Sequence, residues 1–228
     1  MSFNCRGLAG PHKKLAFKLV YTLEHLDVIL LQETLGVGVV VTKTLVSWLP
    51  GWTFETLDVI GCSGGLVIGW NERTVKALNT WGMESILGLE LFSLELGTQL
   101  TVFDVYGPYQ NNFPFWDTLF QNPLLGGDLV VVGGDLNFSL GHFEAWGPHA
   151  HADLLSGYFI QKLVEKNLLG IEPFKLKPTW RTIRVGKAGW PRGLIVFWWR
   201  NTWWIDTTKL GSGLEVEGFQ IIFQFSLN

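Results

Sequence analysis

Short apolar runs of strand length recur along the chain, and most of them end on a glycine, an amide or a charged residue. The clearest are DVILLQE, GGLVIGW, SILGLELFSLEL, QLTVFDVYGP and DLVVVGGDLN. Runs of this length that are rich in branched side chains and bounded by turn residues are typical of buried strands. Several follow one another closely, which predicts antiparallel meanders. SFNC and GWTFETLDV predict two further strands.

Two longer segments, KKLAFKLVYTLEHL and DLLSGYFIQKLVEKNLL, carry apolar residues at helical spacing. The residues that mark their turns are Leu15, Leu19, Leu23 and Leu26 in the first, and Leu154, Tyr158, Gln161, Leu163 and Val164 in the second. TKTLVSWL and FPFWDTLFQNPLL predict two shorter helices. The 228 residues contain no internal repeat and no low-complexity linker. The sequence therefore predicts one domain of the α/β or α+β class, with antiparallel strands and a few flanking helices.

Charge and cysteine content limit the partners and the compartment. The net charge is −3, so a polyanion would have to be held by a local patch or a bound cation. The only two cysteines, Cys5 and Cys62, lie far apart, which favours a reduced intracellular compartment over a disulfide framework. There is no charged leader before an apolar segment, and no apolar run approaches the ~18 residues that span a bilayer, so no membrane partner is expected.

Polar residues stand at the ends of several predicted strands. Asn4 closes the first, Glu33 follows the second, Tyr106 ends the VFDVYGP strand, and Asp135 and Asn137 end the VVVGGDLN strand. Strands packed side by side bring their ends together, so we expect these five side chains to converge on one rim of a sheet. Each alone has a simpler interpretation, as a turn residue, a solvated cap or a packing residue.

Such a rim suits magnesium and phosphate chemistry. A carboxylate with amides and waters is the oxygen ligand set that Mg²⁺ accepts. A second carboxylate can hold or deprotonate a water, and a phenol can donate to a phosphate oxygen. Gly133 and Gly134 let the backbone turn sharply, so that Asp135 faces the pocket. The composition favours in-line attack on a phosphodiester.

The motifs SFNCRGL, DVILLQET, SGGLVIGW, VYGPY, VVGGDLNF and KPTWR occur in this order. The ordered set resembles the endonuclease/exonuclease/phosphatase superfamily, and most closely the endonuclease domain that opens the polyprotein of plant LINE-type non-LTR retrotransposons. The resemblance covers about residues 1–187 and leaves 188–228 as an aberrant tail. It implies a deoxyribonuclease I-like sandwich of two mixed β-sheets flanked by helices, with the last strands disrupted. Phe3 stands where the family commonly has a tryptophan.

The resemblance also implies a role for each strand-end residue. Glu33 would be the Mg²⁺ carboxylate, with Asn4 beside it orienting metal or phosphate. Tyr106 would contact the scissile phosphate, Asp135 would position or deprotonate the attacking water, and Asn137 would stabilise the phosphorane. The expected cofactor is Mg²⁺.

A DNA-facing surface is expected near both ends of the resemblance. Its predicted members are Arg6, Lys13, Thr179 and Trp180. The basic turn GPHKK can meet a DNA backbone, and a solvated helix terminus is an equally good interpretation. A zinc site is a weaker alternative, because His142, His149 and His151 have no second ligand set at regular spacing and favour a solvated loop.

The tail departs from the family. After KPTWR the family has a strand of the type Arg-Leu-Asp-Arg-Phe-Leu and a final Ser-Asp-His, yet no histidine follows His151 here. Reading FQII and RGLIVF one nucleotide early permits both missing motifs, so we interpret the tail as frameshifted. GLIVFWW remains apolar and β-prone enough to pair with a neighbouring strand, although its inward and outward pattern was never selected.

The sequence thus predicts the descendant of a Mg²⁺-dependent DNA endonuclease, whose nick leaves a 3′-hydroxyl that primes reverse transcription. Without the Asp-His pair this copy is expected to be impaired. A nuclear location and a downstream reverse transcriptase domain are implied for an intact element. Two alternatives stay open: a non-catalytic remnant that at most binds metal or nucleic acid, and a phosphatase of the same superfamily.

Overall fold

Two β-sheets pack face to face, and helices cover the outer face of each. The structure is a computed structural model that describes residues 1–24, 26–58, 64–109, 112–141, 153–170, 180–181, 191–192, 195–200, 213–216 and 219–222. The first sheet has the strand order β1-β2-β4-β3. Its strands are β1 (Ser2–Asn4), β2 (Val28–Gln32), β3 (Trp52–Leu57) and β4 (Leu66–Asn71). β1 runs parallel to β2, and the other two pairings are antiparallel, so the sheet is mixed.

The second sheet has the order β5-β6-β7-β8-β12-β9. Its strands are β5 (Val75–Met83), β6 (Ile86–Ser93), β7 (Thr98–Tyr106), β8 (Val130–Asp135), β9 (Leu169–Gly170) and β12 (Ile195–Arg200). The first three form the antiparallel meander that the sequence predicts. β7 and β8 are parallel, which places Tyr106 opposite Asp135 at the same end of the sheet.

The core is divided among three apolar clusters, one between the sheets and one under each pair of helices. The helices are α1 (Pro11–Glu24), α2 (Gly38–Trp48), α3 (Phe113–Gln121) and α4 (Ser156–Glu165), and a 3-10 turn spans Pro123–Gly126. Along β7 the alternation is visible: Leu100 and Val102 join the cluster between the sheets, whereas Phe103 and Val105 pack toward α3 and α4. The predicted two-sheet sandwich flanked by helices is confirmed.

Both long helices exist, but the residues chosen to mark their turns do not all face the core. Leu15 and Leu19 of α1 are 68% and 58% exposed, whereas Phe17 is buried in the cluster under the first sheet and Tyr21 packs against it. Leu154, in the turn before α4, and Val164, in its last turn, are also exposed, whereas Phe159 is fully buried. Helical periodicity fixes the element, but when several stripes are apolar, packing decides which one is buried.

The tail contributes strands. β12 pairs antiparallel with β8, from Ile195 opposite Asp135 to Arg200 opposite Val130, so the described part of this segment, IVFWW, pairs as its β propensity predicts. Two short antiparallel pairs lie outside these sheets: β10 (Trp180–Arg181) with β11 (Pro191–Arg192), and β13 (Gly213–Val216) with β14 (Phe219–Ile222). None of the described helices is both long and apolar enough to cross a membrane.

Candidate active site

Asn4 joins the two sheets at one end of the sandwich. It closes β1, and parallel pairing with β2 places it opposite Gln32 and next to Glu33. Its Nδ2 donates to Glu33 Oε1 at 2.8 Å and to Asp135 Oδ2 at 2.7 Å. One amide group therefore holds two carboxylates, one from each sheet.

Tyr106 reaches the same Glu33 from the second sheet. Its hydroxyl donates to Glu33 Oε1 at 2.7 Å, and the parallel register of β7 and β8 places its backbone beside Asp135. Asn137 lies two residues beyond Asp135, donates through its backbone N–H to Asp135 Oδ1 at 3.3 Å, and donates through Nδ2 to the Gly107 carbonyl at 2.7 Å. The five side chains do converge, but on the seam between the two sheets and not on the rim of one sheet.

The backbone at this seam adopts conformations that side chains rarely take. Glu33 and Asn137 have φ of 52° and 55°, and Arg6 has 46°. Asparagine tolerates this left-handed region, whereas glutamate and arginine are strained there. Gly134 has φ of 143°, and a Cβ at this position would overlap the Val105 backbone carbonyl. Such strain re-aims side chains out of the strand direction, and here it turns Glu33 toward Asn4.

Burial controls the protonation of the two groups from the second sheet. Burial raises the pKa of Asp135 from 3.8 to about 6; the nearby charge of Glu33 raises it further, whereas hydrogen bonds from Asn4 and Asn137 and the charge of Arg6 lower it. Burial also raises the pKa of the Tyr106 phenol well above its usual range, with Tyr109 and Glu33 adding to the effect. At neutral pH Asp135 is mostly ionised and Tyr106 remains a proton donor.

The donor set fits a hard divalent cation. Two carboxylates face each other across one neutral amide, and the carboxylate, amide and phenol atoms present to a ligand are oxygens or N–H donors. Mg²⁺ accepts one or two carboxylates and keeps several waters. Within the described ranges no three His, Cys, Asp or Glu residues cluster, so an all-protein cage of acids and imidazoles is absent there. His142, His149 and His151, the weaker zinc alternative, lie outside the described residues.

The predicted DNA-facing residues have different surroundings. The Arg6 side chain is exposed, and its backbone N–H donates to Asn4 Oδ1 at 3.2 Å. Lys13 Nζ instead donates to the carbonyls of Cys5, Arg6 and Gly7 at 2.7, 3.0 and 2.7 Å. All three ammonium donors are thus used to hold the loop that carries Arg6. Trp180 lies in β10, opposite Arg192.

Thr179, the remaining residue predicted to face DNA, lies outside the described residues, as does Cys62. Cys5 is buried and free, as expected for a cysteine that fills space in the core.

Sequence reasoning missed two further groups near the seam. The Tyr109 hydroxyl lies 2.6 Å from the Tyr106 hydroxyl, so a second phenol belongs to the network. Gln32 Nε2 donates to Ser2 Oγ at 3.0 Å and to Asp104 Oδ1 at 2.6 Å, directly behind Glu33, and burial raises the pKa of Asp104 well above its usual range. The signals were Tyr109 within VYGPY and an acid at an inward-facing position of β7.

A sequence profile of the Endonuclease/Exonuclease/phosphatase family matches residues 1–214. The chain belongs to this family. Its members include nucleases and phosphatases, and the family generally uses divalent metal ions. No curated protein sequence matches this chain.

Solved structures share the fold of this family member. The endonuclease domain of TRAS1, a telomere-specific non-LTR retrotransposon, superposes with a TM-score of 0.63 at 14% identity, covering 87% of this chain and 83% of that one. The mannosyl-6-phosphatase Bt3783 of Bacteroides thetaiotaomicron gives 0.62 at 12% identity, covering 88% and 84%. The AP endonuclease LMAP of Leishmania major gives 0.60 at 16% identity, covering 87% and 78%. At these identities the likeness establishes the deoxyribonuclease I-like fold.

Proposed function

We propose that this chain carries the active site of a Mg²⁺-dependent DNA endonuclease and has lost most of its catalytic rate. The observation that carries the proposal is the single Asn4 amide that holds Glu33 and Asp135 together across the two sheets, with Tyr106 on the same glutamate. Two acids, an amide and a phenol at one seam provide a metal ligand, a proton acceptor and a hydrogen-bond donor to a phosphate oxygen.

Each group has a defined task in phosphodiester hydrolysis. Glu33 and Asn4 would hold Mg²⁺, which when bound neutralises phosphate charge and stabilises the transition state. Asp135 accepts a proton from the attacking water at Oδ1, the oxygen with the longer hydrogen bond of 3.3 Å. Its pKa of about 6 leaves it ionised and basic at neutral pH. Tyr106, kept protonated, donates to a phosphate oxygen, and Asn137 supplies a second donor.

The impairment follows from the tail. The sequence after KPTWR contains neither the Asp-His pair nor its preceding strand motif. One donor aimed at developing phosphorane charge contributes roughly 10²–10³ in rate, and groups that act as a unit fail together. IVFWWR occupies the strand beside β8, and we attribute the replacement to a shift of reading frame within a plant LINE-type element. Sequencing the locus tests this origin: a coding DNA whose other frame does not spell the two motifs contradicts it.

The test of function is nicking of supercoiled plasmid with Mg²⁺. We expect slow nicking, roughly 10²–10³-fold below an intact endonuclease of the family, which Glu33→Ala and Asp135→Ala abolish. Glu95→Gln is the matched control, because Glu95 is an exposed acid in the turn between β6 and β7. Nicking at the full rate contradicts the impairment, and residual nicking that survives both alanine variants contradicts the site.

The same preparation separates the alternatives. A protein that binds Mg²⁺ by calorimetry but never nicks DNA is a non-catalytic remnant. The structural likeness to a mannosyl-6-phosphatase favours a phosphatase as the second candidate; hydrolysis of sugar phosphates without any DNA nicking would establish it. As a DNA endonuclease of a retrotransposon the chain would act in the nucleus, and we propose that an intact element continues into a reverse transcriptase.

A further inference from the structure

A cavity of about 400 Å³ opens beside the catalytic seam. Three groups of residues line it: the end of β3 with the start of β4, the turn between β5 and β6, and the segment after β7. They include Asp58, Gly65, Glu84, Tyr106, Tyr109 and Phe115. A volume of this size falls within the ~300–1,000 Å³ of small-molecule sites. Because Tyr106 both lines the cavity and contacts Glu33 at the seam, an occupant of the cavity would lie next to a phosphate bound at the seam.

Tyr109 forms the wall that the cavity shares with the network of Tyr106. Its hydroxyl is 2.6 Å from that of Tyr106, and the two rings meet edge to face with centroids 6.1 Å apart. The hydrogen bond fixes one end of the ring, while the side chain remains 73% exposed. A large aromatic face held in place yet open to solvent is a platform on which a planar group can stack.

The charged groups of the cavity are all carboxylates, and the neutral side chains of Ser85 and Asn112 line it as well. Asp58 and Glu84 are exposed carboxylates, and none of the described lining residues is basic. Asp58 Oδ1 accepts from the Gly38 backbone N–H at the start of α2, at 2.6 Å, which fixes that side chain. Glu84 sits in the β5–β6 turn with φ of 48°. Two carboxylates disfavour a second phosphate and favour a neutral group that carries N–H donors.

We propose that this cavity is a nucleobase subsite, which takes the base adjacent to the scissile phosphate, stacked on Tyr109, and prefers bases with an exocyclic amino group. The proposal rests on the proposed nuclease function and deepens it, since it assigns a base preference to a chain with no general basic field. Carboxylates accept from the N4 amino group of cytosine, and the corresponding oxygen of uracil or thymine is repelled. Cytosine, adenine and guanine carry such an amino group, whereas thymine and uracil do not.

The test is calorimetric binding of three monophosphates in the presence of Mg²⁺. Deoxyribose 5-phosphate lacks a base, and deoxycytidine and deoxyuridine monophosphates differ at the C4 substituent. Stacking of one base contributes ~1–3 kcal/mol, so deoxycytidine monophosphate should bind about 5–150-fold more tightly than deoxyribose 5-phosphate. Deoxyuridine monophosphate should bind more weakly than the cytidine compound.

Variants assign the two effects. Tyr109→Ala should remove the advantage of the base, whereas Tyr109→Phe should retain part of it, because the ring remains but loses the hydrogen bond to Tyr106 that holds it. Glu84→Gln should reduce the discrimination between cytosine and uracil, because an amide both donates and accepts while the Asp58 carboxylate remains, and Glu95→Gln should leave it unchanged. Equal affinity for all three compounds in the unmodified protein, or no binding of any, overturns the proposal. Base-dependent binding in a protein that never nicks DNA overturns the endonuclease alone, since binding requires no cleavage.

Discussion

Asp135 is a buried carboxylate whose ionisation opposes folding of the metal-free protein. Its side chain is 4% exposed, and burial raises its pKa from 3.8 to about 6. A carboxyl whose pKa is higher in the folded state binds its proton more tightly there. Its stabilising contribution is complete below pH 3.8 and is lost as the pH rises through about 6.

The magnitude follows from the two pKa values. Each pH unit corresponds to ~1.4 kcal/mol, so ionised Asp135 costs about 3 kcal/mol of folding free energy at pH 8. Asp135→Asn removes the charge but loses the acceptor for the Asn137 backbone N–H, a hydrogen bond worth about 1 kcal/mol. We therefore expect this substitution to raise the free energy of unfolding by about 2 kcal/mol at pH 8. At pH 4.5 the two effects cancel to within about 1 kcal/mol.

Urea denaturation in a chelator, followed by tryptophan fluorescence at both pH values, measures this difference. Asp128→Asn is the matched control, because Asp128 is an exposed acid just before β8. Asp135→Asn should also lose any metal-dependent nicking, so its stability and its activity change in opposite directions. An equal rise in the free energy of unfolding at pH 4.5 and pH 8, or no rise at pH 8, would refute the conclusion that ionised Asp135 destabilises the fold.

Three further perturbations test the loop that carries Arg6, the close approach of β8 to β7 at Gly134, and the core under α4. Arg6→Met should reduce the slope of log affinity for DNA against log salt by ~0.9, whereas Lys13→Met should leave the slope unchanged, because the Lys13 ammonium is engaged by backbone carbonyls; equal slope changes in binding titrations would contradict this. Gly134→Ala should lower the free energy of unfolding by ~3 kcal/mol or more in urea, because its Cβ overlaps backbone, while Gly126→Ala, with nothing within 4 Å, should change it little. Phe159→Ala should cost ~3–5 kcal/mol, against a small effect for the exposed Ile160→Ala; similar midpoints for the two would place Phe159 outside the core.

The strands and the seam were predictable because their signals are local. DVILLQE and VVVGGDLN carry a buried strand and its terminal acid in one uninterrupted stretch. Once two such strands share a sandwich, their ends meet, and Glu33 and Asp135 fall within reach of one Asn4 amide. The assignment of the ends to one sheet was wrong, because nothing in a single strand states which sheet it joins.

The helix faces and the second phenol were harder to predict, since they depend on contacts distant in sequence. In α4 several apolar stripes compete, and the sheet selects the one through Phe159 because its ring stacks on Phe138 with centroids 3.9 Å apart. Tyr109 stands within the VYGPY motif, but it follows Gly107-Pro108, and the sequence does not say that the chain there brings its hydroxyl back to Tyr106. The left-handed φ of Glu33 is equally invisible, because glutamate is not a residue that favours it.

The bridge made by Asn4 has a mechanical consequence. Since Glu33 and Asp135 belong to different sheets, separating the two sheets would pull the site apart before either sheet unfolds. A ligand that binds both carboxylates raises the free energy of separating the sheets by RT ln(1 + [L]/Kd), about 2.7 kcal/mol at a hundredfold excess over Kd. Amide exchange along the inter-layer faces would then slow on ligand addition, even in a copy too damaged to cut.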